Sequence, residues 1–312
     1  MTPKIRRKRS KKIRVGVIGV GFMGEHHARI YSSLKGAHLV GVSDIKEERA
    51  AEVAEKYKTK AFSDYKELLP NVDAVTIATP VASHFEIAMA CIEKGVHCLI
   101  EKPMTGSPEE GKMLIEKAKE RKVALAVGLI ERFNPAFVSL IKLIKKRKPL
   151  LVEAKRFAPF NERGSDVSVV LDMMIHDIDL VFKIAGSPVQ SFKGVGKKVK
   201  TGSLDSASVN IFFKNGLIAN IEASRVSDTT ERTINLNCEK INILTDLLNK
   251  KLVVKDLIKL ETREIPVRPV DQLYAELRDF ISSVAKRTAP TVTGEDGLAA
   301  LSFAKEIEGS IC

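Results

Sequence analysis

Three groups of residues in this sequence have the types and spacing to do chemistry. The first is Val15-Gly16-Val17-Ile18-Gly19-Val20-Gly21-Phe22-Met23-Gly24, an apolar run that opens into G-x-G-x-x-G. A strand ending at Gly19 must turn tightly there. Gly21 has no Cβ, so the backbone can approach a pyrophosphate, and Gly24 lets the next helix pack close and aim its N-terminal N–H groups at the phosphates. The second is Glu101-Lys102-Pro103, a lysine directly after an apolar stretch with its exit fixed by proline. It either holds an ammonium at a strand's carboxyl end, where open sheets bind ligands, or forms a solvated surface turn. The third is Asp172 with His176, the only histidine after residue 97. A histidine exchanges protons near neutral pH, and a carboxylate one helical turn away can hold a substrate hydroxyl or tune the imidazole. The same two residues could equally be an exposed i,i+4 pair or two ligands of a metal. With no H-E-x-x-H motif and no nearby cysteine, no metal site is expected.

These groups need elements to position them. The pattern predicts a strand over 13–18, a helix over 23–34 stopped near Gly36, and a strand over 38–44 that ends in Asp44. Asp44 stands twenty residues beyond Gly24, where a carboxylate would accept the two hydroxyls of an adenosine ribose. A helical pattern carries Ala50, Val53, Ala54 and Tyr57, and a strand over 73–78 leads into Thr79-Pro80. Ser83 with Glu86 is expected to form a capping box at the next helix, and Ser107 with Glu110 another. Strands over 96–100 and 122–127 complete an alternation that implies a parallel sheet covered on both faces. The expected cofactor-binding set is Gly19, Gly21, Phe22, Met23, Gly24, Asp44, Thr79, Pro80, His84, Glu101 and Lys102.

From residue 150 onward the period changes. Strand-like runs at 151–157, 206–213, 217–224, 233–238, 252–255 and 260–267 include a hairpin at Asn215-Gly216, so this sheet is mostly antiparallel. Two helices, over 273–286 and 297–308, close the chain. Between these sheets a helix over 169–184 carries Asp172 and His176. At 100° per residue, Val170, Met174, Ile178 and Val181 make an apolar stripe opposite Asp172, His176 and Asp179. The fold class is therefore α/β: an N-terminal Rossmann domain over 13–130, then an α+β domain over 131–312 with a large open sheet.

The 312 residues carry a net charge of +12, which invites a nucleic-acid reading. Seven of those charges belong to Lys4, Arg6, Arg7, Lys8, Arg9, Lys11 and Lys12. The excess is thus a basic tail over 1–12, most simply a disordered solvated extension, with contact to RNA, anionic lipid or an import receptor as the alternatives. No signal peptide and no bilayer-spanning segment are expected. Cys91, Cys98, Cys238 and Cys312 make neither a C-x-x-C pair nor a zinc set and read as reduced thiols of a cytoplasmic protein.

Taken together, the glycine turn, Glu101-Lys102-Pro103 and the Asp172-x-x-x-His176 helix resemble the glucose-fructose oxidoreductase, inositol dehydrogenase and rhizopine catabolism (Gfo/Idh/MocA) family of nicotinamide-dependent sugar oxidoreductases. The similarity runs from about Ile13 to the end of the chain. It implies a Rossmann domain, an open sheet whose exposed face mediates homodimers or homotetramers, and a cis Lys102-Pro103 bond; NAD in preference to NADP is expected from Asp44, whose carboxylate would repel a 2′-phosphate. It further implies that Lys102 and His176 flank the reacting carbon while Asp172 binds substrate hydroxyls. Val81 departs from many relatives, which have asparagine there. The segments Gly128 to Pro135 and Asp166 to Asp179 are similar to a branch that oxidises the 3-hydroxyl of UDP-N-acetylglucosamine or its uronate. For such a substrate Arg132, Arg156 and Arg163 can bind phosphates, or else pair with neighbouring acids. Three alternatives share the resemblance: a free-sugar or inositol dehydrogenase, a non-enzymatic NAD-binding regulator, and a glycoside hydrolase that uses NAD transiently.

Overall fold

A computed structural model describes residues 12–162 and 167–311. They form two compact units that interleave along the chain. One takes the residues up to Glu101 with Lys112–Ala126 and Glu276–Thr293; the other takes Lys102–Gly111, Val127–Ala275 and those from Gly294 on.

The first sheet is built from β1 (Ile13–Ile18), β2 (Ala37–Ser43), β3 (Lys60–Phe62), β4 (Ala74–Ile77), β5 (His97–Glu101) and β6 (Leu125–Gly128). Its order is β3-β2-β1-β4-β5-β6, so the chain reverses direction across the sheet between β1 and β4. In open α/β sheets that reversal leaves a crevice at the strands' carboxyl ends. Between the strands run α1 (Phe22–Ser33), α2 (Glu47–Tyr57), α3 (Tyr65–Leu68), α4 (His84–Glu93) and α5 (Pro108–Arg121). Val15, Val17, Val42, Val75 and Ile77 are fully buried. Strands buried on both faces read as near-continuous apolar runs, which is why these were legible.

The capping expectations divide. Ser107 Oγ accepts from the Glu110 N–H at 3.3 Å while Glu110 accepts from the Ser107 N–H at 3.2 Å, a reciprocal box. Ser83 makes none: its hydroxyl donates instead to Thr79 Oγ1 and the Pro80 carbonyl, because residues 81–83 form a 3₁₀ turn before α4.

In the second unit α6 (Pro135–Ile144) leads into β7 (Pro149–Phe157); a π turn over Val170–Met174 then runs into α7 (Ile175–Ala185). The strands β8 (Val189–Lys197), β9 (Ser206–Phe213), β10 (Ile218–Ser224), β11 (Glu231–Cys238), β12 (Ile241–Asp246), β13 (Lys251–Asp256) and β14 (Thr262–Ile265) follow. With β7 they form an eight-stranded sheet in the order β14-β13-β12-β11-β7-β10-β9-β8, antiparallel throughout except for β7 beside β10. Two more helices, α8 (Gln272–Lys286) and α9 (Gly294–Ile311), end the chain. Helices α7 and α9 cover one face of this sheet, where Phe182, Phe213, Phe192 and Phe303 interlock. The hairpin at Asn215-Gly216 is present, with Gly216 at φ +86°.

Five elements, β3, α3, α6, β8 and β12, lie outside the sequence pattern. Strand β8 hides because Gly194 and Gly196 occupy positions where Ile311 packs against the backbone, leaving no alternation to read. The strand expected over 260–267 shortens to β14, since Leu260 holds a turn at φ +58°.

Candidate active site

The glycine turn is shaped by what a side chain would strike. Gly19 holds φ +80°, and a Cβ there would lie 2.7 Å from Thr79 Cγ2; at Gly24 it would lie 1.8 Å from the Gly19 carbonyl oxygen. At Gly21 a Cβ meets nothing within 4 Å, so that backbone faces open space. No side chain caps α1. Phe22 is largely exposed beside the turn and Met23 partly so. An open backbone face at an uncapped helix start fits a pyrophosphate.

Side chains hold this turn from behind. Arg49 Nε donates to the Val20 carbonyl at 2.9 Å, and Glu25 pairs with both Arg49 and Lys56, which hold its carboxyl down at about 2. Asp44 lies at the end of β2, accepting the Val20 N–H at 2.9 Å and the Lys46 N–H at 3.0 Å. Beside it Ile45 is 94% exposed, an apolar surface where an adenine could rest. Thr79 follows β4, fixed by Ser83 and by His84, whose Nε2 lies 2.8 Å from the Thr79 carbonyl. His84 is buried. His84, expected among the cofactor-binding residues, here braces Thr79.

Glu101 ends β5. Its carboxylate lies 3.0 Å from His27 Nε2, and with the buried Glu276 the three make the one group of described residues spaced to hold a metal ion, with ligating atoms all within 4.8 Å. Burial, reinforced by the charge of Glu101, holds Glu276 well above the usual carboxyl range.

The Lys102-Pro103 bond is cis, as the resemblance implies. Lys102 Nζ donates to Asp172 Oδ1 at 2.9 Å and to the Asp172 carbonyl at 2.5 Å. Asp172 thus holds the lysine rather than His176. The reason is the π turn: its wider winding breaks the regular projection over which Asp172, His176 and Asp179 share a face. Asp179 leaves the site altogether and is buried against Arg132.

His176 stands just past the turn, partly exposed, with Nδ1 buried and without a hydrogen-bond partner. Burial, then the cations Lys102, Arg156 and Arg232, hold its imidazole well below the ordinary histidine range. Lys102, Asp172 and His176 all line one cavity of about 330 Å³, together with Glu131, Arg156, Asn161, Arg225, Arg232 and Gln272. A neutral imidazole, a held ammonium and a sugar-sized space can remove a proton from an alcohol and stabilise the oxygen left behind.

Known proteins agree with this geometry. Residues 13–129 match the model of an oxidoreductase family with an NAD-binding Rossmann fold, and residues 152–243 match the GFO/IDH/MocA C-terminal domain. The chain is 35% identical to UDP-N-acetylglucosamine 3-dehydrogenase of Acidithiobacillus ferrooxidans, over 96% of this chain and 97% of that one. The chain belongs to the GFO/IDH/MocA oxidoreductase family. A solved structure of the same Acidithiobacillus enzyme superposes with a TM-score of 0.92 at 36% identity, covering 96% and 98% of the two chains. Myo-inositol 2-dehydrogenase of Thermotoga maritima is 31% identical over 93% of each chain.

In this oxidoreductase two of the three expected arginines pair with neighbouring acids, the second of the readings above. Arg132 is buried, with Nε and Nη2 both donating to Asp179, at 2.6 and 2.7 Å, and Nη2 also to Asp296 at 3.2 Å. Arg132, expected to bind substrate, thus ties α7 to α9 as a strut. Arg156 lines the cavity but is likewise committed, to Asp177 at 2.7 Å and Glu131 at 3.1 Å. Arg163 lies outside the described residues. Arg232, which the sequence reading omits, lines the cavity with a side chain 42% exposed. The strand expected over 233–238 begins just after it, and strand patterning does not say which side chains meet a ligand.

Proposed function

We propose that this oxidoreductase removes hydride from the 3-hydroxyl carbon of UDP-N-acetylglucosamine, or a close nucleotide sugar, using NAD. The observation that carries the chemistry is the meeting of Lys102, Asp172 and His176 around one cavity; the likeness to the Acidithiobacillus enzyme supports the substrate. The residues around Gly19, Gly21, Gly24 and Asp44 fit the dinucleotide, and when bound its nicotinamide supplies the hydride acceptor. His176 accepts the hydroxyl proton. Lys102, steadied by Asp172, donates a hydrogen bond to the oxygen as it becomes a carbonyl. Asp172 keeps a second carboxylate oxygen for a neighbouring substrate hydroxyl.

The test is NADH absorbance on mixing protein and NAD with UDP-sugars, free sugars and inositols. UDP-N-acetylglucosamine is expected to give NADH, and His176→Ala to cut turnover about a hundredfold or more with NADH affinity nearly unchanged. A rise only with inositol would move the substrate toward that of the Thermotoga relative. Full turnover by His176→Ala would overturn the mechanism.

Asp44 supports NAD over NADP, because a 2′-phosphate beside its carboxylate would be repelled. NADH should bind more tightly than NADPH, with the preference reduced in Asp44→Ser; tighter NADPH binding would reverse the assignment. We further assign the enzyme to the cytoplasm, in keeping with the free, buried thiols Cys91, Cys98 and Cys238, and to a homo-oligomer. Among the described residues no helix is long and apolar enough to cross a membrane.

A further inference from the structure

The reaction cavity takes one sugar ring and little more. At about 330 Å³ it stands at the small end of ligand sites. A second cavity of about 610 Å³ shares Glu131, Arg232 and Gln272 with it. Arg232 therefore stands at the junction between the two.

The commitments of this arginine are unlike those of its neighbours. Arg232 lies directly across from Arg156 on adjacent antiparallel strands, an opposition of like charges that is unfavourable unless an anion intervenes. Glu131 intervenes for Arg156, at 3.1 Å. It serves Arg232 only at 3.8 Å, too long for a hydrogen bond, and no other ion pair or hydrogen bond engages the Arg232 guanidinium among the described residues. A guanidinium with its donor fork uncommitted at the meeting of two cavities is a receptor for a planar or tetrahedral oxyanion. Beyond it the second cavity offers one further cation, Lys250, and apolar walls from Leu247, Leu248 and Val270. Asp271 also lines it, with Oδ1 turned to the Tyr274 N–H at 3.1 Å.

We infer that the second cavity is a nucleoside diphosphate subsite, with Arg232 binding the diphosphate that links the reacting sugar to its nucleoside. This rests on the nucleotide-sugar reading above. It assigns the discrimination between a nucleotide sugar and a free sugar to Arg232, whereas Lys102 and His176 treat both alike.

The test titrates UDP into the protein saturated with NADH, so that UDP cannot occupy the dinucleotide turn, and measures KM and kcat for UDP-N-acetylglucosamine. Arg232→Gln is expected to weaken UDP binding about tenfold or more and to raise KM similarly, since a charge-assisted contact to an unreacting group adds binding. Uridine, without phosphates, should bind both proteins alike. Leu248→Glu, on a partly exposed wall of the second cavity, should also weaken UDP by placing a carboxylate beside the diphosphate. Unchanged UDP affinity in both variants would overturn the subsite, as would a wild-type protein that binds no UDP. Should wild type oxidise only free sugars and yet bind UDP through Arg232, the substrate assignment would fall and the subsite would stand.

Discussion

A histidine that takes a proton from an alcohol has to be neutral when the substrate arrives, and His176 is kept so by burial and three nearby cations. The sign of each contribution makes this testable. Removing Lys102's charge lets the imidazole bind a proton more easily, so its pKa must rise. In Lys102→Met the His176 titration followed by NMR is expected to move up toward the ordinary histidine range, from a wild-type value held well below it. A titration that stays put would show that Lys102 does not contribute and that burial and the two arginines set the value. At this scale much of the chemistry was legible: a lysine after a strand and a histidine on a helix announce their roles by type. The arginines were not, because the role of an arginine is decided by its partner. Arg132 meets Asp179 and Asp296 from distant parts of the chain, and Arg156 meets Asp177 across a strand-to-helix packing that no local pattern encodes.

Turns and helix starts carry the next prediction, through two glycines three residues apart that do different work. A Cβ at Gly24 would collide with the Gly19 carbonyl at 1.8 Å, so Gly24→Ala must push α1 away from the end of β1. Overpacking of this kind costs about 1–3 kcal/mol, and both thermal stability and NADH affinity should fall. At Gly21 the φ of −63° suits any residue and the Cβ meets nothing, so Gly21→Ala should leave the melting temperature unchanged or slightly raised. Its NADH affinity should nevertheless drop tenfold or more, because the methyl group would stand where the pyrophosphate approaches. Calorimetry beside an NADH titration separates the two; equal affinity in Gly21→Ala and wild type would remove the phosphate from this turn. Elements with a strong period, such as β1, β4 and β9, were legible from sequence. The π turn was not, since one extra residue in a helical winding leaves no mark on an apolar stripe, and it moved Asp172 from His176 to Lys102.

For the whole molecule the open question is what meets the uncovered face of the eight-stranded sheet. Helices α7 and α9 cover one face, where Ala207, Val209, Ile211 and Phe213 of β9 are buried. The other face carries Phe212 and Ile218, each 40% exposed and paired directly across β9 and β10, with Leu244 exposed on β12. Around them stand polar side chains that already bond to one another, Asn220 to Asn210 and Asn242 to Asn235, and charged ones such as Glu153, Lys155 and Glu222. A partly apolar face that carries charges of both signs is suited to an identical face related by a two-fold axis, where each residue meets its own complement. The net charge of +12 resists association in general, so self-pairing here requires this specific match. Light scattering at micromolar concentration is expected to give a dimer or tetramer, and Phe212→Glu with Ile218→Glu should lower the mass, since each copy would then set carboxylates against the same carboxylates of its mate. An assembly unaffected by both substitutions would place the interface elsewhere on the molecule; a wild-type monomer would leave this face to water.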